Sequence, residues 1–353
     1  MLAYALRRLL WLPPTLIGIT LLLFVAVHAA PGDPATVMAS ADSSGELVQG
    51  PDFQAGVEKF RRRHLLDRPL WRQYLHFLGP FSMAPDGHRW FGGSGEDPWH
   101  GLLALDLGDE MHRPGVGVAG EIGRRLRITV PLALGAIVLS YLIAIPLGVW
   151  SSLRQGTASD GALAVVLFGL HSVPGFWAGL VLLMVFGAAG LNWLPSLGLH
   201  SSDAALLPPL ERAWDTLLHC VLPVVTLTYG SLAYLSRQMR AGLLEVAGQD
   251  FMRAALAKGL TRREAMLRHG LPNALLPVLT LFASVLPVLV GGSIVVETIF
   301  DLPGMGRYAY EGLHARDYNV VLATATFSAL MTWLGLYLSD LSYALADPRI
   351  RQG

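Results

Sequence analysis

The chain has 353 residues, of which 53% are hydrophobic and 15% charged, with a formal net charge of zero at pH 7. Soluble globular domains carry about 25% charged residues, so this composition excludes an ordinary soluble domain and points to a membrane protein. The single cysteine, Cys220, rules out an intrachain disulfide and a cysteine-based metal site.

A membrane-crossing helix needs roughly 20 apolar residues. Six runs qualify, at about 9–30, 128–150, 162–188, 217–236, 275–297 and 319–341. The first follows Arg7-Arg8 and ends Val27-His28-Ala29-Ala30, an ending that a signal peptidase accepts. A cleavable signal has an apolar core of about 7–15 residues; this run is longer and reads as a retained helix. Within the long loop that follows, Phe60, Leu65, Leu66, Leu70, Trp71, Tyr74, Leu75 and Phe77 recur at roughly helical spacing. They predict one or two helices over 53–78 lying on the outer face. Residues 79–101, rich in Gly, Pro, Trp and His, read as irregular loop. Gly92-Gly93-Ser94-Gly95 there has the residue types of an intramembrane serine protease motif, but it sits in a polar loop and is set aside.

The later spans carry Pro131, Pro146, Pro174, Pro223, Pro277 and Pro287, which kink helices and free carbonyls that neighbours or cavity water must satisfy. His171 before Ser172-Val173-Pro174 marks the end of a broken helix. Small residues such as Gly175, Gly179, Gly187 and Gly291-Gly292 allow close helix contact. The pattern fits a bundle with a pathway between bent helices and does not locate it.

Residues 245–277 form a polar, Arg-rich segment between two apolar runs. Arg253-Ala254-Ala255 leads to Gly259, where a helix can end in the left-handed conformation. Thr261 offers an N-cap oxygen and Glu264 can reach back as a capping box. A second short helix is expected from about Arg262 to His269, stopping near Leu271-Pro272 because proline lacks an amide and restricts its predecessor. The segment therefore predicts a compact helix-turn-helix.

Arg and Lys in short loops set orientation. Arg7, Arg8, Arg154, Arg237, Arg240, Arg253, Lys258, Arg262, Arg263, Arg268, Arg349 and Arg351 fall on one side, against Arg212, Arg307 and Arg316 on the other. Both termini and the helix-turn-helix are thus expected in the cytoplasm. Arg124, Arg125 and Arg127, beside the second span on the outer side, run against that rule.

Of the ionisable residues near the spans, His28, Glu297 and Asp340 lie close to span ends, where an interfacial role is the simpler reading; His171 and His219 complete the set. There is no His-Glu-x-x-His, no facing carboxylate pair and no nucleophile-base set. Lys59 is flanked by Glu and Phe, and Lys258 precedes Gly259 with no hydroxyl residue directly after it. Neither fits a phosphate-binding P-loop. If ATP drives anything here, another subunit must hold it.

The spacing Arg253-Ala254-Ala255-x3-Gly259-x9-His269-x-Leu271-Pro272 resembles the EAA loop of ABC-importer permeases, by which the permease engages its ATPase. Arg253 stands where that loop usually has Glu, and His269 where it usually has Ile. Tyr4-Ala5-Leu6-Arg7-Arg8-Leu9-Leu10, Ala30-Pro31-Gly32-Asp33-Pro34, Asp67-Arg68-Pro69-Leu70-x2-Gln73-Tyr74 and Leu105-Asp106-Leu107-Gly108 resemble the dipeptide/oligopeptide/nickel branch of that family. So does the stretch Glu297-x-Ile299-Phe300-Asp301-x-Pro303-Gly304-Met305-Gly306-Arg307 with Arg316-Asp317-Tyr318. The tail Asp340-Leu341-x-Tyr343-Ala344-x2-Asp347-Pro348-Arg349-Ile350-Arg351 is similar to the branch's usual ending. The likeness thins at about 35–58 and 79–104. Pro303-Gly304 with Gly306 predicts a tight outer turn.

The resemblance implies an all-α membrane protein of the ABC importer type I permease fold, with about six transmembrane helices and a long extracytoplasmic loop after the first. The expected layout is 1–30, an N-terminal segment and first helix; 31–127, the outer loop with short helices; 128–342, a core of five transmembrane helices including a coupling loop at 237–274; and 343–353, a cytoplasmic tail. It also implies a non-enzymatic transport subunit in a bacterial cytoplasmic membrane, with a second, different permease subunit, two ATPase subunits that bind ATP and Mg, and an extracytoplasmic solute-binding protein. Lipid is a partner and nucleic acid is not. The coupling residues would be Arg253, Ala254, Ala255, Gly259, Thr261, Glu264, Leu271 and Pro272. The outer-loop motif would be Asp301, Pro303, Gly304, Gly306, Arg307, Asp317 and Tyr318. No cofactor, metal or substrate-binding residue is assigned in the chain itself. An ion- or proton-coupled secondary transporter is the alternative; it would need a midplane carboxylate or His pair and an internal repeat, and neither is seen.

Overall fold

A computed structural model describes residues 8–40, 51–84, 87–90, 101–280 and 291–346. The chain divides into two compact units, Met1–Arg127 with Tyr308–Trp333, and Ile128–Arg307 with Leu334–Gly353. Among the described residues four helices are long and apolar enough to cross a membrane: Arg8–Ala29, Val118–Leu153, Pro209–Ala247 and Tyr318–Leu338. A fifth crossing is available if the pair Ala158–Ser172 and Gly175–Phe186, bent by 95°, counts as one span. Of the run expected at 275–297, residues 281–290 lie outside the described residues, as do Gly92-Gly93-Ser94-Gly95 and the tail from Asp347.

The first unit opens with α1 (Leu12–Ala29) and the short α2 (Pro34–Ser40), followed by α3 (Pro51–Arg63) and α4 (Leu70–Leu78). These last two are the helices expected over 53–78. Asp33 accepts from Ala35 N–H at 3.0 Å and receives the Arg61 guanidinium, with Nε at 3.0 Å, so one carboxylate starts α2 and holds α3 beside it. The amphipathic α4 packs on α1 through hydroxyls: Tyr74 donates to Ile17 O at 3.1 Å and lies 3.1 Å from Thr20 Oγ1, itself bonded back to Leu16 O. The next stretch departs from the irregular loop read at 79–101. Phe81–Ala84 (β1) pairs antiparallel with Gly87–Trp90 (β2), Phe81 opposite Trp90. Two four-residue strands are too short for an alternation to stand out among Gly, Pro and His.

α5 (Val118–Leu153) begins ten residues before the apolar run expected at 128. Hydropathy sees only the lipid-compatible part of a helix. Arg124 and Arg125, awkward for the orientation rule, both pair with Glu121 at 2.7 and 2.6 Å on the first two turns.

The second unit contains the rest of α5, then α6 (Ala158–Ser172), α7 (Gly175–Phe186) and the 39-residue α8 (Pro209–Ala247). The break between α6 and α7 falls at Val173-Pro174, as the sequence implies. Tyr229 Oη of α8 donates to the freed Val173 carbonyl at 2.5 Å, so the break is stapled to a neighbour and not left to lipid. α8 runs on to Ala247, well beyond the run ending at 236. Its last turns bury Met239, Leu243 and Val246 in a cluster with Val149, Met252 and Met266. A second cluster gathers Leu132, Leu222, Val296, Phe300 and Leu302.

Candidate functional site: a capped helix pair and buried carboxylates

After α8 the chain turns at Gly248 into α9 (Asp250–Ala257), leaves it through Gly259 at φ +92°, and re-enters a helix at α10 (Arg262–Ala265). The capping box is present. Thr261 Oγ1 accepts from Glu264 N–H at 3.3 Å, and Glu264 Oε2 accepts from Thr261 N–H at 2.9 Å and from its hydroxyl at 2.7 Å. These hydrogen bonds, the hydroxyl's first, hold the Glu264 carboxyl below its ordinary range.

The stop expected near Leu271-Pro272 does not occur. Met266–Gly270 forms a π turn, closed by Leu271 N–H donating to Met266 O, and leads without interruption into α11 (Leu271–Thr280). The extra residue in a π turn relieves the clash a proline ring makes with the preceding turn, and Pro272 stands at the start of the new α segment, where a missing amide is tolerated. Asn273 Nδ2 donates to the His269 carbonyl at 2.8 Å.

The pair is anchored on one face and open on the other. Met252, Ala255, Ala265 and Met266 pack against Leu243 and Val246 of α8. Arg253, Ala254, Gly259, Thr261, Glu264 and Pro272 are exposed, whereas Ala255 belongs to the core and Leu271 is half-buried. Exposed Phe251, Leu256 and Leu267 stand among Arg253, Lys258, Arg262, Arg263 and Arg268. A cationic surface studded with apolar side chains, on a base fixed by a core, suits a protein groove.

The outer-loop motif divides between the units. In the second unit, α12 (Ile294–Ile299) is followed by the expected tight turn, with Leu302 N–H donating to Glu297 O and Gly304 N–H to Leu302 O at 2.7 and 2.9 Å. The chain then enters α13 (Met305–His314). Arg307 Nη1 meets Asp301, a residue with φ +51°, at 2.5 Å. The turn closes on Glu297. That residue is 3% exposed, so the interfacial role read from its place at a span end is wrong. Its carboxylate accepts from Thr129 Oγ1 at 3.0 Å and Arg307 N–H at 2.7 Å, while Thr129 Oγ1 accepts from Met305 N–H at 2.8 Å. Gly304 is required here: a Cβ on it would lie 2.2 Å from the Glu297 carboxyl carbon. Glycines at 292, 304 and 306 around one acid are the signal the sequence offers.

Asp160, 7% exposed, escapes the sequence reading altogether. It receives Arg240 Nη2 at 2.8 Å, the Ser151 hydroxyl, and Gly156 N–H at 3.3 Å, tying the α5–α6 turn to α8. Its signal is Thr157-x-x-Asp160, a capping pattern, and indeed Thr157 Oγ1 accepts from Asp160 N–H at 3.4 Å. Among the other ionisable residues near spans, His219 is buried with Nδ1 2.8 Å from Asp215 O, His28 stacks on Phe24, and His171 is exposed. Among the described residues no group of His, Cys, Asp and Glu is arranged to hold a metal.

In the first unit Asp317 is fully buried. It accepts from Met111 N–H at 2.7 Å, caps α14 (Tyr318–Ala346) through Val320 N–H at 3.0 Å, and lies 2.8 Å from His112 Nδ1. Beside it, buried Glu110 takes a bidentate Arg113 at 2.6 and 2.9 Å and the Tyr308 hydroxyl at 2.9 Å. Tyr318 meets His28 ring to ring at 4.7 Å. Asp317 holds the His112 imidazole above its ordinary 6.5, outweighing the lowering effect of burial. A group with a raised folded pKa stabilises fully below its unfolded value and loses that contribution as pH rises through the folded one. The unfolding temperature is therefore expected to fall by about 1–3 °C from about pH 6 to about pH 8, and His112→Gln to flatten that slope. An unchanged slope in the variant would remove His112 as its source.

Helices long and apolar enough to cross a membrane, with a capped basic helix pair packed on one face, mark a membrane protein. Residues 144–352 match the family described as binding-protein-dependent transport system inner membrane component, and the chain belongs to that family. It is 35% identical over 350 residues to the oligopeptide transport system permease protein AppB of Bacillus subtilis, covering 99% of both chains. It is 34% identical over 370 residues to the dipeptide transport system permease protein DppB of Escherichia coli K12, again covering 99% of each. A glutathione transport system permease protein GsiC of Escherichia coli is 33% identical over 354 residues, with the same coverage. The chain is thus a permease subunit of an ABC importer, a membrane protein whose ATPase is a separate subunit. The ion-coupled carrier finds no support among these relatives.

Proposed function

We propose that this chain conducts peptides, handed over by an extracytoplasmic binding protein, in a complex with a second, different permease subunit and two ATPase subunits that hold ATP and Mg. The observation that carries the reading is the helix pair α9–α10, capped at Thr261 and packed by Met252, Ala255 and Met266 onto α8. A coupling element has to transmit displacement without yielding, and core packing on one face with a cationic, apolar-studded face opposite meets that need. The coupling residues are Arg253, Ala254, Gly259, Thr261, Glu264 and Pro272 at the surface, with Ala255 and Leu271 setting their position. The basic bias of this side supports a cytoplasmic location for the pair and both termini. Asp301 to Arg307 and Asp317-Tyr318 serve as architecture of the outer side. Support for peptides as cargo comes from relatives named for oligopeptide, dipeptide and glutathione transport.

Affinity purification of the tagged chain in mild detergent, with identification of its companions and an ATPase assay, tests this. Two ATPases and a second permease are expected, and scrambling residues 253–272 in a chain that still inserts should release the ATPases. Isolation of a lone chain under conditions shown to preserve such complexes would overturn the reading.

A further inference from the structure

In the second unit, ties at three levels join the broken pair α6–α7 to α8. At the start of α6, Asp160 receives Arg240 Nη2 at 2.8 Å and Nε at 3.3 Å. At the break, Val173 O receives the Tyr229 hydroxyl. On α7 the backbone itself closes in: a Cβ added to Gly179 would lie 3.1 Å from Thr226 Cγ2. The partner positions 226, 229 and 240 spread over about 21 Å of α8 at 1.5 Å per residue. A pair bent by 95° has no continuous hydrogen-bond ladder across its break, so without such ties its halves are free to hinge at Val173-Pro174.

Local capping does not account for the first tie. Thr157 and Asp160 have the same spacing as Thr261 and Glu264, yet the two acids act differently. Glu264 turns back onto the amide and hydroxyl of its own cap. The Thr157 amide goes instead to Arg154 O at 3.1 Å, and Asp160 takes Arg240 of α8, the Ser151 hydroxyl of α5 and Gly156 N–H of the turn between. A carboxylate this buried is costly unless paired, which keeps the pair closed. Arg240 stands about one turn before Leu243, and on Leu243 and Val246 rest Met252, Ala255 and Met266 of the basic helix pair. A displacement of that pair therefore reaches α8 beside the turn to which Asp160 is attached.

We propose that Asp160 is a positioning residue of the transport cycle: through Arg240 it makes α6–α7 travel with α8 and the basic helix pair as one lever, with no sliding of α6 on α8. This rests on the reading of α9–α10 as the coupling element.

The full complex is reconstituted in liposomes with its binding protein, and ATP hydrolysis and peptide uptake are measured on the same preparation. Asp160→Asn, which keeps the shape and removes the charge, is expected to cut uptake per ATP by at least about fivefold while hydrolysis stays within about twofold. Arg240→Gln should do the same, and the double variant should lose no more than either single one, as two halves of one interaction do. A pair that only held the fold would lower yield or melting temperature and leave uptake per ATP of the assembled fraction unchanged; that result overturns the proposal. A second arm needs neither variant to fold. Ala162→Cys on α6 and Ala241→Cys on α8, both at exposed positions, carry spin labels in a Cys220→Ser background. The mean distance between the labels is expected to change by less than about 2 Å between the nucleotide-free and the vanadate-trapped complex. A larger change means that α6 slides on α8 and overturns the lever. Should the wild-type complex hydrolyse ATP without moving peptide, the cargo reading fails on its own, and the label distance still judges the lever.

Discussion

Replacing Gly304 with valine is expected to destabilise the chain by at least about 3 kcal/mol, enough to lose most of the monodisperse protein on detergent extraction. A Cβ at this position would lie 2.2 Å from the Glu297 carboxyl carbon and 2.4 and 2.6 Å from its oxygens. The carboxylate cannot retreat, because Thr129 and the Arg307 amide hold it and Thr129 is itself held by Met305 N–H. The cost therefore falls on the turn from Leu302 to Met305. Glu297→Gln keeps the shape but sets an NH2 against donors, at about 1–3 kcal/mol. Thermal unfolding of both variants in detergent orders them, valine at 304 the more severe. A Gly304→Val protein that melts like the parent would show that the turn does not depend on close approach to Glu297.

Gly259→Val is expected to leave insertion and ATP hydrolysis in place while cutting peptide uptake per ATP by at least about tenfold. Nothing lies within 4 Å of a Cβ added there, so the penalty is conformational: φ is +92°, and a β-branched residue resists that region. The link between α9 and α10 would relax by about 1–2 kcal/mol toward another geometry, turning the exposed Arg253 face relative to the capped Thr261 face. Gly259→Asn, which tolerates left-handed backbone better, should fall between the two. Hydrolysis and uptake measured on the same proteoliposomes decide it; normal uptake per ATP in the valine variant would separate this linker from coupling.

What the sequence displays follows the range of the interactions involved. Apolar runs, the break before Pro174 and the Thr261–Glu264 box are local, set by residues within a few positions, and all can be read from one strand of text. The helix ends at Val118 and Ala247 are harder, because ion pairs and core contacts, not apolarity, extend those helices. The run through Pro272 is illegible because the π turn that accommodates it has no residue signature. Glu297 with Thr129, and Asp160 with Arg240, join positions far apart in the chain. Glu297 looks like a span-end charge until its partner is seen, and Asp160 draws no notice until its own is.

The π turn at Met266–Gly270 has a mechanical consequence. One residue more per turn than an α-helix means that reverting to α geometry there would rotate α11 by about 100° and shift it by about 1.5 Å against α10. That exchange would return the Pro272 ring to the clash with the preceding turn that the π geometry relieves. One proline thus holds the joint between the basic helix pair and α11 in a single rotational setting.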